Sequence, residues 1–251
     1  YTRTLSFHMT LEFIRPDWPA PKNIHAATTT RTGGKSLAPF CSLNLADHVG
    51  DNLDAVLQNR LLLKQSLNLP SEPNWLTQTH STRVLQLPNN QNRDADASFT
   101  KEKNVICSVL TADCLPILLC DNAGTEIAAV HAGWRGLADG IIGNALKNFA
   151  TSPKELMAWF GPAICRHKFE IDDSVRRVFM HNNIESAEAF VPSKPDHWFL
   201  DLVQIARIQL KMLGVTHIYG GKYCTYSDAD RFFSYRRHPE TGRIATLIWM
   251  S

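Results

Sequence analysis

The amino-acid sequence predicts a single-domain α/β (α+β) fold, and three observations carry the prediction. Strand-like and helix-like periodicities are interleaved along the whole chain rather than segregated. No internal repeat, low-complexity tract or linker divides them. A chain of 251 residues with 44% hydrophobic content can bury one full core.

The segment Tyr1 to His8 precedes Met9 and reads as a remnant of an expression tag, so the domain is expected over 9–251. After a proline-rich stretch (Pro16, Pro19, Pro21), Thr28 to Ser36 reads as a strand end running into a turn at Gly33-Gly34. From Asp51 to Leu67 the apolar residues Leu53, Val56, Leu57, Leu61 and Leu62 recur at helical spacing and predict an amphipathic helix. Val105 to Leu110 predicts a strand, and Leu115 to Cys120 a second, beyond Thr111-Ala112-Asp113-Cys114. Asp121-Asn122-Ala123-Gly124 supplies hairpin chemistry, because Asn and Gly tolerate positive φ. A third strand, Thr125 to Val130, ends at His131. The glycine-flanked run Ala132-Gly133-Trp134-Arg135-Gly136 then turns into a helix from about Leu137 to Phe149. A strand from Leu156 to Phe160 stops at Gly161-Pro162, and a helix lies near Asp173 to Met180. A strongly periodic helix from Asp201 to Leu213 is stopped by Gly214. Ile244 to Trp249 closes the chain as a strand.

The net charge of +2 gives no overall field for nucleic acid or an anionic membrane, so an anionic substrate must be met by local arginines. The longest apolar stretches are far too short to span a bilayer, and a soluble protein is expected. The six cysteines (Cys41, Cys107, Cys114, Cys120, Cys165, Cys224) sit in a large chain without a secretory apolar region near its start. Reduced thiols in the cytoplasm are the expectation. Oligomeric state is left open, a monomer being compatible.

Cys114 follows Asp113 at the mouth of a strand, His131 ends a strand before a loop that only glycines make feasible, and His80 closes the alternation Leu76-Thr77-Gln78-Thr79-His80-Ser81. Two imidazoles and a thiolate from separate elements match a catalytic zinc site, in which a fourth position stays open for water or substrate. On spacing alone, an inert buried cysteine and two ordinary histidines account for the pattern more simply, and Cys114 as nucleophile with His131 as base is a third account.

The motifs Thr30-Arg31-Thr32-Gly33-Gly34, Ser42-Leu43-Asn44-Leu45, His48-Val49-Gly50-Asp51, Gln78-Thr79-His80, Thr111-Ala112-Asp113-Cys114-Leu115-Pro116 and His131-Ala132-Gly133-Trp134-Arg135-Gly136 occur in that order. They are followed by Gly161-Pro162-Ala163-Ile164, Cys224-Thr225, Phe232-Phe233-Ser234-Tyr235-Arg236-Arg237 and Thr241-Gly242-Arg243. Together they closely resemble the bacterial YfiH family from about Met9 onward. The resemblance implies mixed β-sheets packed between helices, similar to the catalytic domain of cytotoxic necrotizing factor deamidases. It also implies zinc held by His80, Cys114 and His131. Cys165 departs from the pattern, standing where relatives often carry glycine.

Members of that family have been described as laccase-like polyphenol oxidases, as purine nucleoside phosphorylases with adenosine deaminase activity and as peptidoglycan editing factors. A laccase needs several coppers held by paired His-x-His arrangements, and the ten histidines here contain none, so the copper oxidase is the least favoured. The purine reading implies phosphorolysis of adenosine, inosine, guanosine and methylthioadenosine, and hydrolytic deamination of adenosine by an activated water attacking C6. Asp96 and Asp113 are candidates to shuttle protons. Arg31, Arg60, Arg135 and Arg236 suit a phosphate pocket, and Ser42 and Asn44 offer neutral donors to phosphate or ribose. Plainer roles exist for each: a solvated or paired arginine, Asn44 capping a turn, Asp113 orienting its neighbour, Trp134 packing rather than stacking on a base, and Phe232 and Phe233 in the core. A cell-wall editing amidase that removes misplaced serine from a peptidoglycan precursor would use the same metal or Cys114 equally well.

Overall fold

The computed structural model describes residues 11–89 and 92–251; the expected tag remnant and Met9 lie outside them. The elements in chain order are β1 (Phe13–Ile14), β2 (Ile24–Thr29), α1 (Leu53–Leu67), β3 (Val84–Gln86), β4 (Ala97–Thr100), β5 (Cys107–Thr111), β6 (Leu115–Asp121) and β7 (Ile127–Ala132). There follow α2 (Trp134–Asp139), α3 (Ile141–Leu146), β8 (Leu156–Phe160), β9 (Glu170–Asp172), α4 (Asp173–Asn182), β10 (Phe190–Pro192), β11 (His197–Leu200), α5 (Leu202–Met212), β12 (His217–Gly220) and β13 (Ile244–Met250).

These strands form a four-stranded sheet ordered β1-β2-β13-β5, a six-stranded sheet ordered β12-β8-β6-β7-β4-β3, and a small sheet ordered β10-β11-β9. The alternation of side chains along each strand shows how the two large sheets stack. On β6, Leu115, Ile117 and Leu119 pack with helices α2 to α5. Leu118 and Cys120, on the opposite face, join β5 and β13 residues Val109, Ile244 and Ile248. The outer face of the four-stranded sheet, through Ala27, Leu247 and Trp249, takes Leu63 and Leu67 of α1. The order is therefore α1, four-stranded sheet, six-stranded sheet, then α2 to α5: mixed sheets between helices, as expected. Because β6 and β13 are covered on both faces, all seven residues of each are buried.

Several local expectations are corrected. Helix α1 buries Val56, Asn59, Leu63 and Leu67, while Leu53, Leu57 and Leu61 are more than half exposed. The cause is Asn59, whose amide receives Lys35 N–H and donates to Ser36 Oγ and the Asn44 carbonyl, tying the preceding loop onto the inner face. The helix expected from Leu137 to Phe149 starts at Trp134 and breaks at Gly140, whose φ of 93° ends α2 and starts α3. His80 lies in a loop with φ of 61°, not at the end of a strand. Cys165 and Cys224 form a disulfide, leaving Cys41, Cys107, Cys114 and Cys120 free, so the expectation of six reduced thiols fails for this pair. Their Cα atoms stand 5.1 Å apart because the segments that follow β8 and β12 run side by side there, Ala163 pairing with Cys224. No helix among the described residues is long and apolar enough to cross a membrane.

Candidate metal centre and cleft

Three separate devices bring His80, Cys114 and His131 together. His131 sits near the end of β7, opposite Pro116 on β6, so the sheet register fixes its place. Cys114 enters β6 from Asp113, whose φ of 96° turns the chain sharply. The His80 loop is fastened by Gln78, whose side-chain amide receives Leu110 N–H at 2.7 Å and donates to the Leu110 carbonyl at 2.8 Å, replacing a strand partner.

Asp96 then binds both histidine segments. It is wholly buried, and one oxygen accepts from His80 N–H at 3.0 Å and from His131 Nδ1 at 2.7 Å. The other accepts from the N–H groups of Thr79 (3.2 Å) and Ser81 (2.6 Å) and from the Ser81 hydroxyl (2.8 Å). Burial by itself would raise the Asp96 pKa, but the His131 and Ser81 donors overcome it and keep the carboxylate ionised. With Nδ1 committed to Asp96, His131 presents Nε2 to the cluster. Burial likewise opposes charge on Cys114 and His131, yet their mutual attraction, with His80 and Asp96, lowers the thiol pKa and raises that of the imidazole. Sulfur is thus poised as the thiolate that metals bind.

The ligand atoms of the three residues all lie within 4.8 Å of one another, and Cys114 Sγ is 3.7 Å from His80 Nε2. A tetrahedral ion with a metal–sulfur bond of about 2.3 Å and a metal–nitrogen bond of about 2.0 Å separates two such atoms by roughly 3.6 Å. The donor set therefore fits a metal ion. Gly133 makes the approach feasible: a Cβ there would stand 2.8 Å from His80 Cδ2 and 3.0 Å from Cys114 Sγ.

The cluster opens into a cleft of about 570 Å³, a size suited to a small organic ligand. Its walls include Trp134 and Arg135 from α2, Ile164 after β8, Phe169 and Leu202 flanking the small sheet, and Tyr235, Arg236 and Arg243 before β13. His48 and Gln78 complete the lining. Among the described residues no carboxylate forms an ion pair with Arg135, Arg236 or Arg243. Burial lowers the Arg243 pKa, while the charges of Cys114 and Asp113 counteract it.

Of the residues singled out from sequence for substrate, Asp113, Arg135 and Arg236 line the cleft. Arg31, Ser42, Asn44, Arg60 and Asp96 do not, and their polar groups are occupied elsewhere. Arg31 donates to the Cys41 and Ala229 carbonyls and lies over the Phe233 ring. Arg60 donates to the Leu45 carbonyl, stacks on Trp75 and pairs with Asp47 at 3.2 Å. The Ser42 hydroxyl receives Gly34 N–H. Asn44 closes its turn by bonding Ala46 and receives Arg243 N–H, so it sets the Arg243 backbone from behind. Asp113 accepts from Thr225 Oγ1, Ser234 Oγ and Arg236 N–H, which ties two cleft loops to the residue before Cys114. Arg236 lies over Phe169 and donates to the Glu170 carbonyl through one nitrogen. His48, Tyr235 and Arg243 were missed as site residues, although each stands inside a motif already noted; Phe232 and Phe233 are core.

Residues 25–251 match the family model described as multi-copper polyphenol oxidoreductase laccase. A Haemophilus influenzae protein named purine nucleoside phosphorylase is 50% identical over 95% of this chain and 99% of its own length. The Escherichia coli K12 protein named purine nucleoside phosphorylase YfiH is 46% identical over the same shares. The chain belongs to the YfiH family. Solved structures agree: a Neisseria meningitidis protein superposes with a TM-score of 0.91 at 46% identity, covering 95% of this chain and 99% of that one. YlmD from Geobacillus stearothermophilus superposes with 0.88 at 30% identity, covering 95% and 96%. Against the multi-copper wording of the family model, the described residues contain one three-ligand cluster.

Proposed function

We propose that this YfiH-family chain is a zinc-dependent purine nucleoside enzyme that cleaves adenosine, inosine, guanosine and methylthioadenosine with phosphate and deaminates adenosine with water. The observation that carries the reading is a thiolate–imidazole triad sharing one cleft with three guanidinium groups free of carboxylates. The names of the curated relatives support it. Zinc suits this borderline-soft set, and when bound supplies Lewis acidity and activates water at neutral pH.

The chain's own groups divide the remaining work. His80, Cys114 and His131 hold the ion, and Asp96 keeps the His131 proton on the nitrogen facing away. Arg135, Arg236 and Arg243 neutralise phosphate, with forked donors that also orient it. Trp134, Phe169 and Tyr235 offer flat apolar faces to the purine. The test is metal analysis of protein purified without added metal, beside a nucleoside assay with and without phosphate; a serine-containing peptidoglycan precursor is the contrasting substrate. Zinc near one per chain and phosphate-dependent release of free base are expected. Turnover of the precursor alone, or full activity of metal-free Cys114→Ala, overturns the reading.

A further inference from the structure

We propose that His48 is the proton-transfer residue of this cleft, giving a proton to the purine as its bond to ribose breaks. The inference rests on the purine nucleoside reading. Breaking the C1′–N9 bond leaves its electron pair on the base, which is a poor leaving group until N7 is protonated, so the cleft needs an acid. The two aspartates that attract attention cannot serve. Asp96 is fully buried with five donors on its oxygens, and Asp113 is occupied by Thr225, Ser234 and Arg236. His80 and His131 belong to the cluster that the proposed function assigns to the metal. His48 is the remaining imidazole lining the cleft among the described residues.

Its setting is that of an oriented acid–base group. His48 Nδ1 lies 3.3 Å from Asp47 Oδ1, at the loose end of hydrogen bonding, as such contacts often are before substrate arrives. Asp47 Oδ2 is paired in turn with Arg60 at 3.2 Å, and Arg60 is fixed by Trp75 and the Leu45 carbonyl. Burial raises the Asp47 pKa, but Arg60 and His48 bring it below the usual carboxylate value, so the orienting group stays charged. A base followed by a carboxylate that fixes its ring is the arrangement general acid–base catalysis uses. The side chain is half exposed.

In the step, the imidazolium of His48 donates its proton to N7, the C1′–N9 electron pair passes to the base, and a phosphate oxygen bonds C1′. The proton carried by hydrogen phosphate then returns to the imidazole, so products are the neutral base and the sugar 1-phosphate, with no net proton change.

The test compares inosine with 7-methylguanosine, whose N7 is already alkylated and cationic and needs no acid. His48→Gln is expected to lose about 100-fold or more in kcat on inosine, in the range of lost general acid catalysis, and only a few-fold on 7-methylguanosine. Added imidazole is expected to restore part of the inosine rate to His48→Ala. Equal losses on both substrates, with zinc content and melting temperature as in the parent, overturn the proposal. A parent protein that turns over neither nucleoside removes the purine reading, and this proposal with it.

Discussion

Replacing Asp96 by asparagine separates the charge of this residue from its shape. The carboxylate accepts two donors on one oxygen, His80 N–H and His131 Nδ1, and three on the other, from Thr79 and Ser81. Asparagine has one acceptor, so its NH2 must face one of these groups. The cheaper orientation points NH2 at the pair, because the ring of His131 can then move its proton to Nε2 and accept through Nδ1. That leaves His80 N–H unsatisfied, at a cost of about 1–3 kcal/mol. Metal binding at Nε2 then forces the ring proton back to Nδ1, against that NH2 instead of a carboxylate. Loss of an outer partner of this kind lowers metal affinity by about 10–100-fold. The assay is competition for zinc between metal-free Asp96→Asn protein and a chromophoric chelator, with urea unfolding of the same metal-free sample. Zinc affinity within about twofold of the parent, alongside the expected stability loss, would refute this account of the His131 tautomer.

In Gly133→Ala, the new methyl meets His80 and Cys114 at 3.0 Å or less, while φ of −68° accepts alanine. Zinc affinity should fall by at least about tenfold, with only about 1 kcal/mol lost in unfolding from the weaker helix cap. Leu63→Ala should cost about 2–5 kcal/mol and Leu57→Ala less than about 1, reversing the order if the apolar residues at 53, 57 and 61 were the buried face. Burial would raise the Glu126 pKa, but Lys101 and the N–H groups of Ala150 and Thr151 outweigh it and hold it at about 2, below its ordinary 4.5. A depressed acid stabilises the fold above its unfolded pKa, so Glu126→Gln should be less stable by about 2 kcal/mol at pH 7, after allowance for the half-exposed Lys101. The gap should close as pH falls from 4.5 towards 2, and a constant gap in acid unfolding curves would contradict the assignment.

Strands covered on both faces were legible because burial leaves a continuous apolar run: Leu156–Phe160 was read to the residue, and β6 and β13 to within one. The inner face of α1 was not, because leucines surround the helix and the deciding residue is a polar Asn59 whose partners are distant in sequence. The small sheet was missed since its strands are three or four residues long. At the site, the three residues that the structure brings together, His80, Cys114 and His131, were legible from the motifs that carry the family resemblance. The arginines were not separable, because a guanidinium in a motif looks the same whether it faces a cleft, as Arg135 does, or is spent on backbone carbonyls, as Arg31 is. Cys165 and Cys224 carry no spacing signal, being 59 residues apart.

That cross-link has a modular consequence. It staples the base of an arc that contains the small sheet, α4, α5 and β12, and supplies Phe169 and Leu202 to one wall of the cleft. His80, Cys114 and His131 all precede the arc in sequence. Insertions or deletions near its far end can therefore reshape what the wall admits, while the pinned base shields the ion-holding framework from the change.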